Sequence, residues 1–385
     1  MIRISRIQCG SIRLVTAFYF GILLNLSAVS CRQFTRTPDS RSHKACVSSS
    51  GHHYPNLTQS SILRPERPPP RSRIVICAMI RNEQAYLLEW IEFHRLQGVD
   101  QFILYDDGST DDADLIPLLY QAVGLPGTVK VLSSNFLRHS QTSQHTRDQH
   151  DANQRSVLHH CHRRFGPRTN WMLLTDIDEF TYSPRFPSLS AFLRRAGHVK
   201  YYFIKAVKYG TNGRSETPKS NFVLDVGKTD IFEAGGWPDL VLDQSTTRAP
   251  RREFEDGFDA LYSDICMNKS FKEKHCGEGG EKALFRPLTC RFGFVGIHGC
   301  DWFRIRGAVN ETWPLSNLSD VRIDHYYFRS PELVKSLPPF AQHKLTQWEL
   351  LDRSWFSLVH DDLAARKYAA IVRASLGRFN VPHFD

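Results

Sequence analysis

The stretch Trp171 to Phe180, WMLLTDIDEF, sets two acids one residue apart, Asp176 and Asp178, with Glu179 directly after them. Before them runs a mostly apolar segment, Trp171 to Thr175, of the kind that forms a buried strand. Side chains alternate along an extended chain, so Asp176 and Asp178 are expected to point to the same side. Two neighbouring carboxylates without partners repel one another, and a bound cation relieves that repulsion. An Asp-x-Asp at a strand end can thus hold Mg2+ or Mn2+ and, through open coordination positions, the oxygens of a diphosphate. The same three acids would also suit a strand end running into a solvated turn. The elements around them have to decide.

Those elements are regular. Ile74 to Ile80, IVICAMI, is a continuous apolar run, as in a parallel strand covered on both faces. Arg81-Asn82-Glu83 follows, then a helix to about Gln97 with Leu87, Leu88 and Ile91 on one face and Gly98 placed to end it. The next strand, Phe102 to Tyr105, stops at Asp106-Asp107-Gly108-Ser109-Thr110-Asp111-Asp112. This is a strand–helix–strand unit of the right crossover length. A short strand, Val129 to Leu132, and a helix over about Asp148 to Arg164 lead to Trp171. The fold is therefore read as α/β, with the polar carboxyl ends of three strands around one crevice, the edge where ligands bind in open α/β sheets. Asp, Ser and Thr at these ends also serve turns and helix caps.

Charge and composition bound the possibilities. The net charge is +9, yet residues 1–73 alone carry eleven Lys+Arg against Asp39 and Glu66, which accounts for all of it and leaves 38 of each sign elsewhere. A balanced folded part excludes a general nucleic-acid surface. Leu14 to Cys31 is free of charge and apolar, with Arg3, Arg6 and Arg13 before it, so 1–13 reads as a short basic cytoplasmic tail and 14–31 as a signal anchor, or a signal peptide cut near Ala28-Val29-Ser30. Residues 32–73, rich in Ser, Pro, Arg and His and closing near Pro68-Pro69-Pro70, read as a disordered stalk. Sequons at Asn56, Asn268, Asn310 and Asn317 and the close set Cys266, Cys276, Cys290 and Cys300 fit the secretory pathway, the cysteines as two local disulfides. Without a C-x-x-C pair, zinc is discounted.

The ordered motifs resemble glycosyltransferase family 92 and closely related family 2-like enzymes with the GT-A fold. The resemblance rests on Arg81-Asn82-Glu83, Leu88-Glu89-Trp90-Ile91-Glu92-Phe93-His94, Gly98-Val99, Tyr105-Asp106-Asp107-Gly108-Ser109 and Trp171 with Asp176-Ile177-Asp178-Glu179-Phe180. Gln154 before Cys161, Lys208-Tyr209-Gly210-Thr211-Asn212-Gly213, Lys282 to Pro287 and Ile323-Asp324-His325-Tyr326 with Arg329-Ser330 extend it. It spans roughly Ile74 to Lys335. Two departures stand out: Asp106-Asp107, where many relatives have one acid followed by Asn, and Leu224 to Ser270, which has no clear counterpart and is expected to shape the acceptor site.

The resemblance implies a GT-A domain over 74–337, with a mostly parallel central sheet and a helical extension over 338–385. It also implies metal-dependent, inverting transfer of a hexose, galactose in the family's pattern, from a UDP-sugar to a glycan acceptor. Asp176 and Asp178 would hold Mn2+ (or Mg2+), joined by a His, either His298, preferred because a strand over Arg291 to Ile297 would lead to it, or His325. Arg81, Glu83, Asp106, Asp107 and Asp176 would receive the nucleotide-sugar. Inversion needs a general base to deprotonate the acceptor hydroxyl. Asp239, Glu255 and Asp256 are the candidates, and the sequence does not separate them. Glu179 could instead hold the strand end by hydrogen bonds. Lys282 and Arg286 could approach the diphosphate or serve as surface or ion-pair residues, and Trp348, Leu351 and Trp355, at helical spacing, read as packing residues rather than a sugar platform. The expected setting is a Golgi or other secretory-pathway membrane, single-pass with a lumenal catalytic domain. The contrasting expectation is a sugar- or nucleotide-binding protein without catalysis.

Overall fold

The computed structural model describes residues 72–137, 147–212, 240–256, 281–300, 317–328 and 351–379, each less a few positions, with two short pieces at 29–30 and 47–48 and isolated residues between 260 and 349. The chain divides into residues 1–68 and 69–385. In the first unit, Val29–Ser30 pairs antiparallel with Val47–Ser48. Most of the expected membrane segment and stalk lies outside the described residues. No helix of the described residues is long and apolar enough to cross a membrane.

The second unit is built on one eight-stranded sheet. Its elements in chain order are β1 (Ser72–Ile80), α1 (Gln84–Leu96), β2 (Gln101–Asp106), α2 (Ile116–Ala122), β3 (Val129–Ser133), α3 (Arg147–Phe165), β4 (Thr169–Leu174), β5 (Glu179–Tyr182), α4 (Leu189–Arg194) and β6 (Tyr201–Lys208). Then come α5 (Val241–Gln244), β7 (Thr247–Arg248), β8 (Glu281–Phe285), β9 (Val295–Gly296), β10 (Gly299–Cys300), β11 (Arg322–His325), β12 (Val359–His360) and α6 (Leu363–Leu376). The spatial order in the large sheet is β3-β2-β1-β4-β8-β6-β11-β5. Four neighbouring pairs are parallel: β3 with β2, β2 with β1, β1 with β4, and β6 with β11. Three are antiparallel: β4 with β8, β8 with β6, and β11 with β5. The α/β reading holds, with an antiparallel strand inserted after β4.

Continuous apolar strands form here because both faces are covered. Ile74, Ile76, Ala78 and Ile80 of β1 join Phe102, Leu104, Trp171 and Leu173 in a core under α1, α2, α4 and α6. The alternate residues Val75 and Cys77 join Ile103, Tyr105, Met172 and Leu174 in a second core with Val157, Leu158 and Cys161 of α3. A disulfide, Cys77–Cys161, links β1 to α3 on that face.

The disulfide expectation is met in part and extended. Cys290 does bond within the expected set, to Cys300, but Cys266 and Cys276 lie outside the described residues and the Cys77–Cys161 bridge was not anticipated. Its partners are 84 residues apart and meet only because α3 crosses behind β1. A second difference concerns the C-terminal extension. Tyr368, Val372 and Leu376 of α6 are buried in the main core, and β12 pairs with β7. Leu351 and Trp355 are fully buried, as packing residues should be, and Trp348 lies outside the described residues.

α1 carries three buried polar side chains, and each has a structural partner. Glu89 accepts from the first backbone N–H groups of α5, Val241 (2.9 Å) and Leu242 (3.0 Å). Glu92 receives Tyr120 Oη (2.7 Å) and Arg95, and touches Ser375. His94 Nδ1 lies 2.9 Å from Trp90 O, and its Nε2 accepts from Thr181 N at 3.0 Å. Trp90 Nε1 donates to Glu179 O at 2.9 Å. Trp90 and His94 thereby fasten β5, the strand that follows the two aspartates, to α1.

Candidate functional site

At the carboxyl edge, the β1 and β2 loops are stitched together. Asn82 sits at φ 55°, a left-handed conformation that Asn tolerates better than most residues. Its N–H donates to Ser109 Oγ (3.0 Å) and its Oδ1 accepts from Thr110 N (2.7 Å), while Gln84 N donates to Asp111 Oδ2 (2.8 Å). Asp106 Oδ1 accepts from Ser109 N at 2.8 Å and closes its own turn. Asp107 is buried, with Oδ1 accepting from Ser134 Oγ (2.8 Å) beyond the end of β3. Glu83 stands at the start of α1 and its carbonyl accepts from Tyr86 and Leu87 N–H, with no capping bond from its side chain. Arg81 is exposed. Asp106 thus has a turn-forming role, and Arg81, Glu83, Asp106 and Asp107 share one edge.

The aspartate pair departs from expectation in its backbone. β4 ends at Leu174, so Asp176 and Asp178 occupy the turn into β5 and strand alternation does not place them. Burial places them instead: Ile177 is buried in the core and the two flanking aspartates are left half-buried. Glu179 orders this turn, as one reading expected. Its Oε2 accepts from Asp176 N (2.9 Å) and Thr175 Oγ1 (3.0 Å).

Nor are the carboxylates unpaired. Lys282 Nζ of β8 lies 2.6 Å from Asp176 Oδ2 and 3.3 Å from Glu179 Oε2, and Gln154 Nε2 of α3 donates to Asp176 Oδ1 at 2.9 Å. Burial opposes the Lys282 ammonium, but Asp176 and Glu179 outweigh it and hold its pKa above the usual lysine range. Burial raises the Glu179 carboxyl against the pull of Lys282. The alternative to a direct diphosphate contact is what the geometry displays for Lys282: an ion pair at the base of the aspartates. Arg286 is remote from them. It donates to Val199 O and Gly197 O, both at 3.0 Å, and lies 4.7 Å over the Trp171 ring.

Of the two histidines, His298 lies outside the described residues, and of the strand expected to lead to it only Val295–Gly296 is extended there. His325, at the end of β11, comes to the site. Its Nε2 is 3.4 Å from Asp178 Oδ2 and its Nδ1 is 3.8 Å from Glu179 Oε1. Tyr326 N donates to Asp178 O at 2.8 Å and fixes the two loops together. Carboxylates and an imidazole backed by a second carboxylate are the donor types that suit Mn2+ or Mg2+. Among the described residues, however, no three such side chains converge as a metal cluster, and Lys282 supplies positive charge at Asp176.

Four further residues, Lys344, Tyr327, Lys208 and Phe356, were not anticipated at this place. Lys344 Nζ lies 3.8 Å from Asp178 Oδ2 and 4.4 Å over the Tyr327 ring. Lys208 Nζ, at the end of β6, lies 5.0 Å over that same ring and 5.9 Å over Phe356. Burial, with Lys344 and Arg251 nearby, lowers the Lys208 ammonium to about 8. Only the spacing of Lys208 after an apolar strand was available in the sequence, and it says nothing of the rings.

Glu255, one of the base candidates, is held by arginines. Glu255 Oε1 accepts from Arg248 Nη2 (2.8 Å) and its other oxygen from Arg251 N, while Asp256 is exposed and Asp239 lies outside the described residues. Arg248 in turn binds Asp361 (2.8 Å), and Asp361 binds Arg322 (3.1 Å), whose Nε is 2.8 Å from Asp324 Oδ1. Glu255 is the outer end of a chain of buried charges.

Comparison with known proteins agrees with the motifs. A glycosyltransferase family 92 protein of Arabidopsis thaliana is 29% identical over 117 residues, 30% of this chain and 17% of that protein. One from Oryza sativa subsp. japonica is 26% identical over 176 residues, 42% of this chain and 27% of that protein. The matches thus span about a sixth to a quarter of these relatives' length. Glucosyl-3-phosphoglycerate synthase from Mycobacterium tuberculosis, solved with Mn2+, UDP and glucosyl-3-phosphoglycerate, aligns over 81% of this chain and 82% of its own at 12% identity and a TM-score of 0.31, a likeness at which no property passes from one protein to the other. Residues 72–234 match the family model described as glycosyltransferase family 92 and hold β1 to β6, Asp176 and Asp178. Over residues 72–234, the chain is similar to glycosyltransferase family 92.

Proposed function

We propose that the protein is a metal-dependent glycosyltransferase that moves a hexose, galactose in the first instance, from a UDP-sugar to a glycan acceptor with inversion. One observation carries this reading. Arg81, Glu83, Asp106, Asp107, Asp176 and Asp178 lie at a single carboxyl edge of the sheet, inside the family 92 segment. In open α/β sheets that edge receives the ligand. The nucleoside would lie over the ends of β1 and β2, and Asp176 and Asp178 would hold Mn2+ or Mg2+, with His298 the preferred third ligand and His325 the alternative. When bound, that ion neutralises charge developing on the departing diphosphate. Glu179 keeps the aspartate turn in place through Asp176 N and Thr175 Oγ1. Gln154 orients the other oxygen of Asp176.

The setting we propose is a secretory-pathway membrane, the Golgi, with residues 14–31 as the anchor and the catalytic domain in the lumen. The bridges Cys77–Cys161 and Cys290–Cys300 support an oxidising compartment, and the uncharged run Leu14 to Cys31 supports the anchor.

A second reading is favoured by one contact. Lys282 already neutralises Asp176 at 2.6 Å, so the site could bind a nucleotide-sugar without metal and without turnover. A donor screen on the full chain, with Mn2+ and with chelator and free UDP as readout, separates the two. The catalytic reading expects Mn2+-dependent UDP release that Asp176→Asn and Asp178→Asn each lower by about a hundredfold or more, the scale on which losing one electrostatic stabiliser acts. Binding of the donor with no release in any metal would leave the binding-protein reading standing and sink the catalytic one.

A further inference from the structure

At the end of β6 stands Lys208, a cation with no neutralising partner among the described residues. Among the described residues, Lys208 Nζ meets no carboxylate and no hydrogen-bond acceptor. Its neighbours are the rings of Tyr327 (5.0 Å) and Phe356 (5.9 Å). A second ammonium, Lys344 Nζ, lies 4.4 Å over the same Tyr327 ring. Ring faces offset part of the cost of a partly buried cation, but two ammonium groups sharing one ring repel each other. Buried charges are as a rule paired. Such an arrangement is suited to receive an anion from outside the protein.

Its position tells which anion. β6 runs parallel to β4, since the strand between them, β8, is antiparallel to both. Lys208 therefore lies at the same carboxyl edge as the aspartate turn, two strands beyond β4, or about 10 Å at the usual strand spacing. β1 and β2, with Glu83 and Asp107, lie on the other side of β4. Lys208 also stands level with His325 in the β6–β11 register. The pair thus faces the aspartates from the side away from the nucleotide half.

We propose that Lys208 and Lys344, on the Tyr327 ring, bind an anionic group of the acceptor glycan, a uronate carboxylate or a sugar phosphate. The assignment rests on the glycosyltransferase reading for the word acceptor, though not for the anion site itself. Tyr327 serves as the floor against which both ammonium groups are held, and Phe356 excludes water from one side of Lys208. The acceptor's charge then fixes which of its hydroxyls is turned toward Asp178 and the transferred sugar.

The test is calorimetric binding to the full chain in Mg2+, with digalacturonate, galactose 6-phosphate, their neutral counterparts galactobiose and galactose, and inorganic pyrophosphate. At least one acidic sugar should bind ten or more times more tightly than its neutral counterpart. Lys208→Met keeps the apolar stem on the rings and should remove that advantage while leaving pyrophosphate binding unchanged. Lys344→Met, closer to solvent, should reduce it severalfold, and a thermal transition within a few degrees of the parent shows that each variant is folded. Equal binding of acidic and neutral sugars overturns the proposal. So does a Lys208→Met variant that loses pyrophosphate and acidic sugar alike, because the anion would then be the donor's diphosphate. UDP release in the donor screen without acceptor should be untouched by Lys208→Met, so failure of the anion site and failure of the catalytic reading are seen separately.

Discussion

The two halves of the large sheet bury different chemistry. In β3, β2, β1 and β4 the buried positions are apolar except Thr169, at the start of β4. In β8, β6, β11 and β5 the interior also holds Lys282, Glu179, Arg322 and Asp324, each buried. The parallel half is held by area removed from water, worth about 25 cal/mol per Å². The mixed half depends on charges that must find one another. A buried ion pair adds little by itself, but removing one partner leaves the other stranded at a cost of about 3–5 kcal/mol. The difference shows where charge can be placed: the parallel half carries it at its strand ends, and the mixed half also carries it in its interior.

The largest way to break this comparison is Arg322→Met. Arg322 serves Asp324, Asp361, Tyr182 and Tyr209 at once. Its loss leaves Asp324 buried without its cation, and we expect destabilisation of about 3–5 kcal/mol in urea unfolding. Ile76→Val, at an equally buried place in β1, should cost only about 0.5–1.5 kcal/mol. Similar costs for the two would erase the distinction between the halves.

The next effect belongs to the parallel half. Cys77→Ala with Cys161→Ala removes a bridge closing 84 residues, and loops of that size lose on the order of 4 kcal/mol in the chain-entropy account, commonly less in practice. A loss of about 2–4 kcal/mol in urea, with Gln154 still able to reach Asp176 and donor turnover retained, is expected. Unchanged stability would mean that the apolar contacts of α3 hold that face unaided.

The same contrast explains what could be read from the sequence. IVICAMI, the helix after it and Phe102 to Tyr105 announce themselves because a strand covered on both faces has to be apolar throughout. They also place Arg81, Glu83, Asp106 and Asp107 at strand ends, where they are. The aspartate pair was legible as residues but not as geometry, since its shared direction comes from the buried Ile177 in a turn and not from strand alternation. Lys282, His325 and Lys344 were harder. They reach Asp176 and Asp178 from β8, from β11 and from beyond residue 340, and no local pattern encodes contacts between segments more than a hundred residues apart. Cys77–Cys161 was hidden for the same reason. Glu89, Glu92 and His94 look like the solvent face of α1 and are its buried face, because α5, α6 and β5 cover them.

His94 joins the halves and gives the comparison a pH dependence. Its Nε2 accepts from Thr181 N, so the ring must be unprotonated there, and burial lowers its pKa to about 3 from an ordinary 6.5. The unfolded chain takes up the proton first. The contribution of His94 is therefore complete above about pH 6.5 and is lost as the pH falls from there toward about 3. Each proton taken up only on unfolding costs about 1.4 kcal/mol per pH unit. Urea midpoints measured between pH 7 and 5 should fall with a slope one proton steeper in the parent than in His94→Gln. Equal slopes would mean that the imidazole is charged in the folded state and that the Thr181 contact is not made.

The smallest effect tests whether the periphery of the parallel half follows local rules alone. Ser188 precedes α4 in extended conformation and its Oγ accepts from Ala191 N at 3.1 Å, satisfying one of the helix's free N–H groups. Ser188→Ala should cost about 1 kcal/mol. α4 also packs through Leu189, Phe192 and Leu193 and receives support at Ser190 N from Gln97 O, so its burial does not depend on the cap. The loss should then appear as faster amide exchange within Leu189 to Arg194, with the Cys77–Cys161 region unchanged. A cost well above 2 kcal/mol, or exchange spreading into β1, would mean that this edge is coupled to the sheet as tightly as the charge network is, and that the halves differ in composition without differing in how they respond to damage.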